Sequence, residues 1–178
     1  MFYKWEGVVP VEECNAIIEK YKNGEYKEAE VGDRCEVNTE VRKTCVKWIP
    51  TESLINRAIS SFTVEANNKF FKYDISGAER TQFAKYESGY FYDWHTDTSN
   101  PLEKETRKLT TIIQLSDPND YEGGVFQFFK GMDSPESPPI EKQGSVIVFD
   151  SREWHRLTEV TKGIRYSLVQ WTTGGRFI

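Results

Sequence analysis

The chain has 178 residues, a formal net charge of −5, and eleven Phe, nine Tyr and five Trp. Such a length suits one domain, residues 1–178, with enough chain for a real core. The acidic balance argues against a nucleic-acid surface, which needs a basic stripe, and the apolar runs fall far short of a membrane span.

The opening Met1-Phe2-Tyr3-Lys4-Trp5-Glu6 has neither an apolar signal core nor a cleavage site, so a cytoplasmic chain is expected. Cys14, Cys35 and Cys45 show no CxxC spacing. They fit reduced thiols that pack as small hydrophobes. Val11, Cys14, Ile17, Ile18 and Tyr21 recur at helical spacing after Pro10, and Asn23-Gly24 is a natural stop. The stretch from Val41 to Ile49 reads as a strand. A second helix is predicted to start near Thr51, a possible N-cap, with Leu54, Ile55, Ala58, Ile59 and Phe62 as its apolar stripe.

From about residue 70 the pattern changes to short β-type runs: Phe70 to Ile75, Thr81 to Tyr86, Leu109 to Leu115, Val125 to Phe129, Ser145 to Phe149, and Arg165 to Thr172. Turn-rich connections separate them, including Asp117-Pro118-Asn119-Asp120, Gly123-Gly124 and the Ser/Pro-rich segment from Gly131 to Pro139. Many short strands punctuated this way indicate a sandwich or barrel. The expected fold is mainly β with α: a double-stranded β-helix, or jelly roll, over residues 70–178, with N-terminal helices packed on one sheet.

Only two histidines occur, His95 and His155, and the first opens His95-Thr96-Asp97. Residues i and i+2 of an extended strand share a face, so His95 and Asp97 can reach one ion, and His155 returns from a distant strand. Two imidazoles and a carboxylate that leave one face open form the ligand set of non-haem Fe(II) oxygenases. HxD alone is a weak signal. It gains weight because the only other histidine follows the predicted strand Val146-Ile147-Val148-Phe149. A further cation, Arg165, opens the apolar run Arg165-Tyr166-Ser167-Leu168-Val169-Gln170-Trp171. An inward arginine there needs an anion, either a bound carboxylate held by its fork or an internal Asp or Glu.

Taken together, these residues are recognisable. His95-x-Asp97, His155 and Arg165 resemble the Fe(II)/2-oxoglutarate-dependent dioxygenases, and more narrowly the prolyl 4-hydroxylase branch with its small bacterial and phage members and the PKHD-type hydroxylases. The matching segments are Tyr86 to Asp97, Leu109 to Leu115, Tyr121 to Phe128, and Gly144 to Phe149 running on to His155. The resemblance implies that His95, Asp97 and His155 hold Fe(II), and that Arg165 binds the distal carboxylate of 2-oxoglutarate. Tyr86 and Gln114 would line the cosubstrate pocket, and Trp171 would pack beside the iron. O₂ is the implied co-reactant, and ascorbate a further candidate ligand. The implied reaction couples oxidative decarboxylation of 2-oxoglutarate to hydroxylation of a C–H bond. Arg165 departs from the collagen-type pattern, which uses lysine.

Substrate contacts are less legible. Arg152 and Trp171 are candidates, and Thr98 to Arg107 could be a lid over the mouth. A prolyl residue in a peptide or protein is the first substrate implied, with a free amino acid or small molecule as the alternative. The chain would act as a monomer or weak homodimer. Two other readings remain open at this stage: a non-catalytic cupin-like binding module, and a zinc hydrolase, for which no HExxH motif is present.

Overall fold

The computed structural model describes residues 1–28, 40–98, 105–131, 135–138 and 140–177. In chain order the elements are β1 (Phe2–Trp5), α1 (Val11–Tyr21), β2 (Lys27–Glu28), β3 (Arg42–Lys43), β4 (Cys45–Trp48), α2 (Leu54–Ala66), β5 (Gly77–Ala78), β6 (Gln82–Glu87), β7 (Phe91–His95), β8 (Glu105–Gln114), β9 (Tyr121–Gly123), β10 (Phe126–Phe128), β11 (Val146–Asp150), β12 (His155–Leu157) and β13 (Val160–Gly175). Cys35 and most of the proposed lid lie outside the described residues, as do Met132 to Ser134 and Pro139 of the Ser/Pro-rich segment.

Two antiparallel sheets face each other. The larger runs β1-β11-β8-β13-β6-β4-β2, with β5 and β9 also paired to β13; the smaller runs β10-β12-β7-β3. Period-two alternation sorts side chains between the two faces of the larger sheet. Ala84, Tyr86, Ile112, Ile147 and Phe149 point between the sheets, where they meet Phe126, Phe128 and Leu157 from the smaller one. Their sequence neighbours Phe83, Ile113, Val146 and Leu168 point outward and pack under the helices, against Cys14, Ile17, Ile18, Ile55 and Ile59. Two-sided burial explains why β8, β11 and β13 read as nearly continuous apolar or small-polar runs. The jelly roll with helices on one sheet is the fold observed.

The first helix spans the stretch its spacing predicts. The second starts slightly later: Ser53, not Thr51, caps it, accepting from the Ile55 N–H at 3.3 Å. The strand expected over Val41–Ile49 is divided, with β3 joining the smaller sheet and β4 the larger. The strand expected over Phe70–Ile75 is absent. Asn67–Phe71 instead forms a π-helical turn that extends α2, and Lys72 takes a left-handed φ of 60°. The reason is tertiary. Phe71 and Tyr73 pack on Ala66, Leu109 and Val148, and the Asn67 side chain bonds both backbone groups of Tyr73 at 2.9 Å. Aromatic β-propensity yields to that packing. β1 was not legible as a strand; it caps the edge of the larger sheet by pairing with β11.

Ile59 is fully buried at the α2–sheet contact. Ile59→Ala is expected to lower unfolding free energy by ~2–5 kcal/mol, read from denaturant midpoints. A change under ~1 kcal/mol would contradict close packing of α2 on the sheet.

Candidate active site

β7 and β12 run antiparallel in the smaller sheet, and their register pairs His95 directly with His155. Direct cross-strand partners share a face, so both rings point between the sheets, with centroids 4.1 Å apart. Asp97 lies two residues beyond the end of β7, not within it. Its N–H donates to the Ser151 carbonyl at 2.8 Å, which bends the chain back toward the rings. His95 from the end of β7 and Asp97 from just beyond it thus bring both side chains to one point. His95 Nε2 is 3.5 Å from Asp97 Oδ1, and His155 Nε2 is 3.4 Å from Asp97 Oδ2. All three donor atoms lie within 4.8 Å of one another, a grouping that no other His, Cys, Asp or Glu set among the described residues forms. Separations of that size let one ion sit about 2 Å from each donor.

The surroundings put each ligand in its binding form. His95 Nδ1 is 2.7 Å from the Asp93 carbonyl, and His155 Nδ1 is 2.9 Å from the Glu153 carbonyl. A carbonyl only accepts, so each Nδ1 carries the hydrogen and each Nε2 lone pair faces the other ligands. Burial pushes His155 down to about 4, against the pull of the Asp97 carboxylate. Burial opposes ionisation of Asp97, but the two histidines and the Thr110 hydroxyl, which donates to Asp97 Oδ2 at 2.8 Å, hold its carboxyl below the usual range. Near neutral pH His155 is a neutral imidazole and Asp97 a carboxylate, the forms a divalent ion needs.

Arg165 enters from β13, opposite Tyr86 of β6, and is 3% exposed. Its guanidinium lies 5.9 Å from the Tyr86 ring and makes one long contact, 3.5 Å, to the Ser167 hydroxyl. Its Nε is buried without a hydrogen-bond partner, and no carboxylate pairs with it among the described residues. The internal ion pair left open by the sequence is thus not found there. A buried, unneutralised guanidinium in a cavity is a receptor for an anion. His95, Asp97, His155, Arg165, Tyr86 and Trp171 all line one cavity.

Gln114 and Arg152 do not line it. Gln114 is buried with its amide donating to the Ser116 carbonyl at 3.1 Å and to the Tyr121 hydroxyl at 3.0 Å, beside a smaller cavity on another side of Arg165. Arg152 grips Asp150 at 2.6 Å and lies over Phe177 at 3.7 Å. Several lining residues escaped the sequence reading. Ser167, two positions after Arg165 on the same strand face, was the most accessible to it. Tyr92 lies flat on His95, with centroids 3.4 Å apart and planes at 9°. Arg107 clasps Glu79 at 2.6 and 2.7 Å, stacks over Trp171 at 3.9 Å, and reaches the Asp97 carbonyl at 3.5 Å. The Arg107 contacts bridge elements distant in sequence, and no local spacing encodes them.

Comparison with known proteins agrees with this geometry. Residues 81–173 match the model of the 2OG-Fe(II) oxygenase superfamily, and the chain belongs to that family. A PKHD-type hydroxylase of Synechococcus is 35% identical over 134 residues, covering 70% of this chain and 58% of that protein. The PKHD-type hydroxylase PiuC of Pseudomonas aeruginosa is 29% identical over 97 residues, covering 51% of this chain and 41% of that one. The chain thus spans less than two thirds of the curated relatives it matches. Among solved structures, a Pseudomonas putida prolyl-4-hydroxylase superposes with a TM-score of 0.75 at 19% identity, covering 99% of this chain and 93% of that one. A Trichoplax adhaerens prolyl hydroxylase, in complex with a hypoxia inducible factor peptide, gives 0.78 at 18% identity, covering 96% and 82%. At such identities the superpositions establish the jelly-roll fold.

Two outcomes follow from this geometry. Thr110→Val is expected to weaken Fe(II) binding ~10–100-fold while the chain stays folded, because Asp97 loses the bond that orients it; unchanged affinity in anaerobic metal titration would contradict that role. In metal-free protein, His155 moves from an ordinary 6.5 to about 4 on folding. The unfolded chain therefore binds a proton that the native chain refuses between those values. This contribution is complete above pH 6.5 and is lost as pH falls toward 4. Urea midpoints should drop across that window, and the slope should flatten in His155→Gln; parallel slopes would contradict a buried neutral imidazole.

Proposed function

We propose that residues 1–178 form one Fe(II)- and 2-oxoglutarate-dependent dioxygenase unit that hydroxylates an unactivated C–H bond, with a prolyl residue of a peptide or protein as its substrate. The observation that carries this reading is the placement of a buried guanidinium with no carboxylate partner, Arg165, in the same cavity as the His95–Asp97–His155 grouping. A module that merely held a metal would have no use for that cation, whose burial costs stability unless an anion joins it.

His95, Asp97 and His155 would hold Fe(II) through the Nε2 and carboxylate oxygens that already converge. The iron, once bound with 2-oxoglutarate, supplies O₂ activation coupled to decarboxylation of that cosubstrate. The chain's own residues supply the rest. Arg165 would receive the distal carboxylate of 2-oxoglutarate in its fork, with the Ser167 hydroxyl donating beside it. Tyr86 and Trp171 would wall the cosubstrate and exclude water, and Tyr92 would fix the His95 ring by stacking. The Nδ1 hydrogens of both histidines stay on the Asp93 and Glu153 carbonyls, so neither imidazole is free to shuttle protons. Asp97 fills the position that halide-using relatives leave open to chloride, which favours hydroxylation. The prolyl assignment draws on the names of the solved structures that share the fold.

Two variants separate the roles. His155→Ala should abolish retention of Fe(II), whereas Arg165→Ala should retain iron and raise the Kd for 2-oxoglutarate by roughly 30-fold or more. Equal loss of iron and cosubstrate in both would contradict the assignment. A one-oxygen mass gain on proline-containing peptides, dependent on 2-oxoglutarate, tests the substrate; gain on a free amino acid alone would overturn the peptide assignment.

A further inference from the structure

Arg42 of β3 lines the cavity and is 7% exposed, yet the dioxygenase reading gives it no task. Its surroundings supply one. In the smaller sheet β7 has β12 on one side and β3 on the other. The β12 register sets His155 against His95, and the β3 register sets Arg42 directly opposite Tyr92. Direct cross-strand partners share a face, so Arg42 and Tyr92 both turn into the cavity.

Tyr92 lies flat on the His95 ring, and the Arg42 guanidinium carbon lies over Tyr92, 4.4 Å from its centroid. The imidazole already covers one face of the phenol, so the guanidinium covers the other. Guanidinium, phenol and imidazole thus form three layers that end on a metal ligand. Arg42 Nη2 also donates to Gln82 Oε1 at 3.0 Å. Gln82 belongs to β6 of the larger sheet and is buried, so this bond fixes the fork from the opposite wall. A side-chain amide is neutral and removes none of the charge.

A cation on one face of an aromatic ring draws π density toward itself. The other face then gives less to the imidazole stacked on it, which becomes a poorer donor through Nε2. The field of the guanidinium acts in the same direction. Both effects penalise a ferric ion more than a ferrous one, since the higher charge is repelled more and relies more on ligand donation.

We propose that Arg42 is a positioning residue that acts through Tyr92 on His95 and biases the bound iron toward Fe(II), the state the dioxygenase reaction uses. This deepens the dioxygenase reading above and rests on it. One unit of charge at this remove, at an effective dielectric constant of about 20, changes the ratio of ferric to ferrous affinity roughly tenfold.

The test uses the full chain loaded anaerobically with Fe(II) and 2-oxoglutarate, with the midpoint potential read by spectroelectrochemical titration of the charge-transfer band. Arg42→Gln removes the charge, and the potential should fall by about 59 mV, the one-electron equivalent of tenfold. Arg42→Met should give the same fall, and it decides if the Gln variant does not fold. Arg42→Lys keeps the charge and should stay closer to the unsubstituted chain than to the neutral variants. Tyr92→Phe keeps the ring and should leave the potential unchanged. A purely structural role would not separate Lys from Gln. An unchanged potential in the neutral variants, a Lys variant that falls as far as they do, or an equal fall in Tyr92→Phe would overturn the proposal. The band itself separates the two levels. If it forms in the unsubstituted chain and the neutral variants keep the same potential, only the role of Arg42 falls. If it does not form with Fe(II) and 2-oxoglutarate at saturation, the dioxygenase reading falls with it.

Discussion

Everything in the site depends on one placement: an ionised carboxylate, Asp97, held out of water between two imidazoles. A lone buried carboxylate is costly. Here the Thr110 hydroxyl offsets part of the cost, and the Nε2 lone pairs beside the carboxylate, whose rings are fixed to backbone carbonyls, leave the rest for a bound cation to neutralise. The histidines cannot both drift, because the β7–β12 register makes them direct partners. Asp97 cannot drift, because its own N–H is tied to Ser151, the first residue of the turn between β11 and β12. One hydrogen-bonded loop closure therefore brings a residue outside the strand into register with two inside it.

The two-sheet fold gives this cluster its asymmetry. Its ligands come from the smaller sheet and the loop that follows β7, whereas Arg165, Ser167, Tyr86 and Trp171 come from the larger one. An ion and an anion-binding cation thus face each other across the interior from separate elements. The helices do not touch the cavity. They cover the outer face of the larger sheet, where Phe83, Ile113, Val146 and Leu168 would otherwise be exposed. That face must be buried for the inner face to keep its register, since a one-residue slip would exchange the two. The link from helix packing to site geometry runs through that alternation.

Much of this was legible in sequence, for identifiable reasons. With only two histidines in the chain, any metal site using imidazole had few options. Continuous apolar runs marked the strands β8, β11 and β13 because those strands are buried on both faces. Arg165 stood out as a charge at the head of such a run. Other features were hidden because their cause is not local. Phe70 to Ile75 reads as a strand by composition, but its aromatics are buried by a helical turn and by an Asn67 side chain that imitates a strand partner. Arg107 and Thr110 act on the site from β8, across the fold from Asp97, and Tyr92 acts by stacking on His95 within β7. Gln114, chosen by position in the resemblance, and Arg152, chosen for its closeness to His155 in sequence, lie against Tyr121 and Asp150 outside the cavity.

The most direct measurement is anaerobic titration of the metal-free chain, followed by visible absorption. The account expects a charge-transfer band to appear only when Fe(II) and 2-oxoglutarate are both present, and to saturate at one of each per chain. Absence of that band at saturating concentrations of both, or tight binding of 2-oxoglutarate that does not respond to metal, would contradict a shared ferrous site facing Arg165.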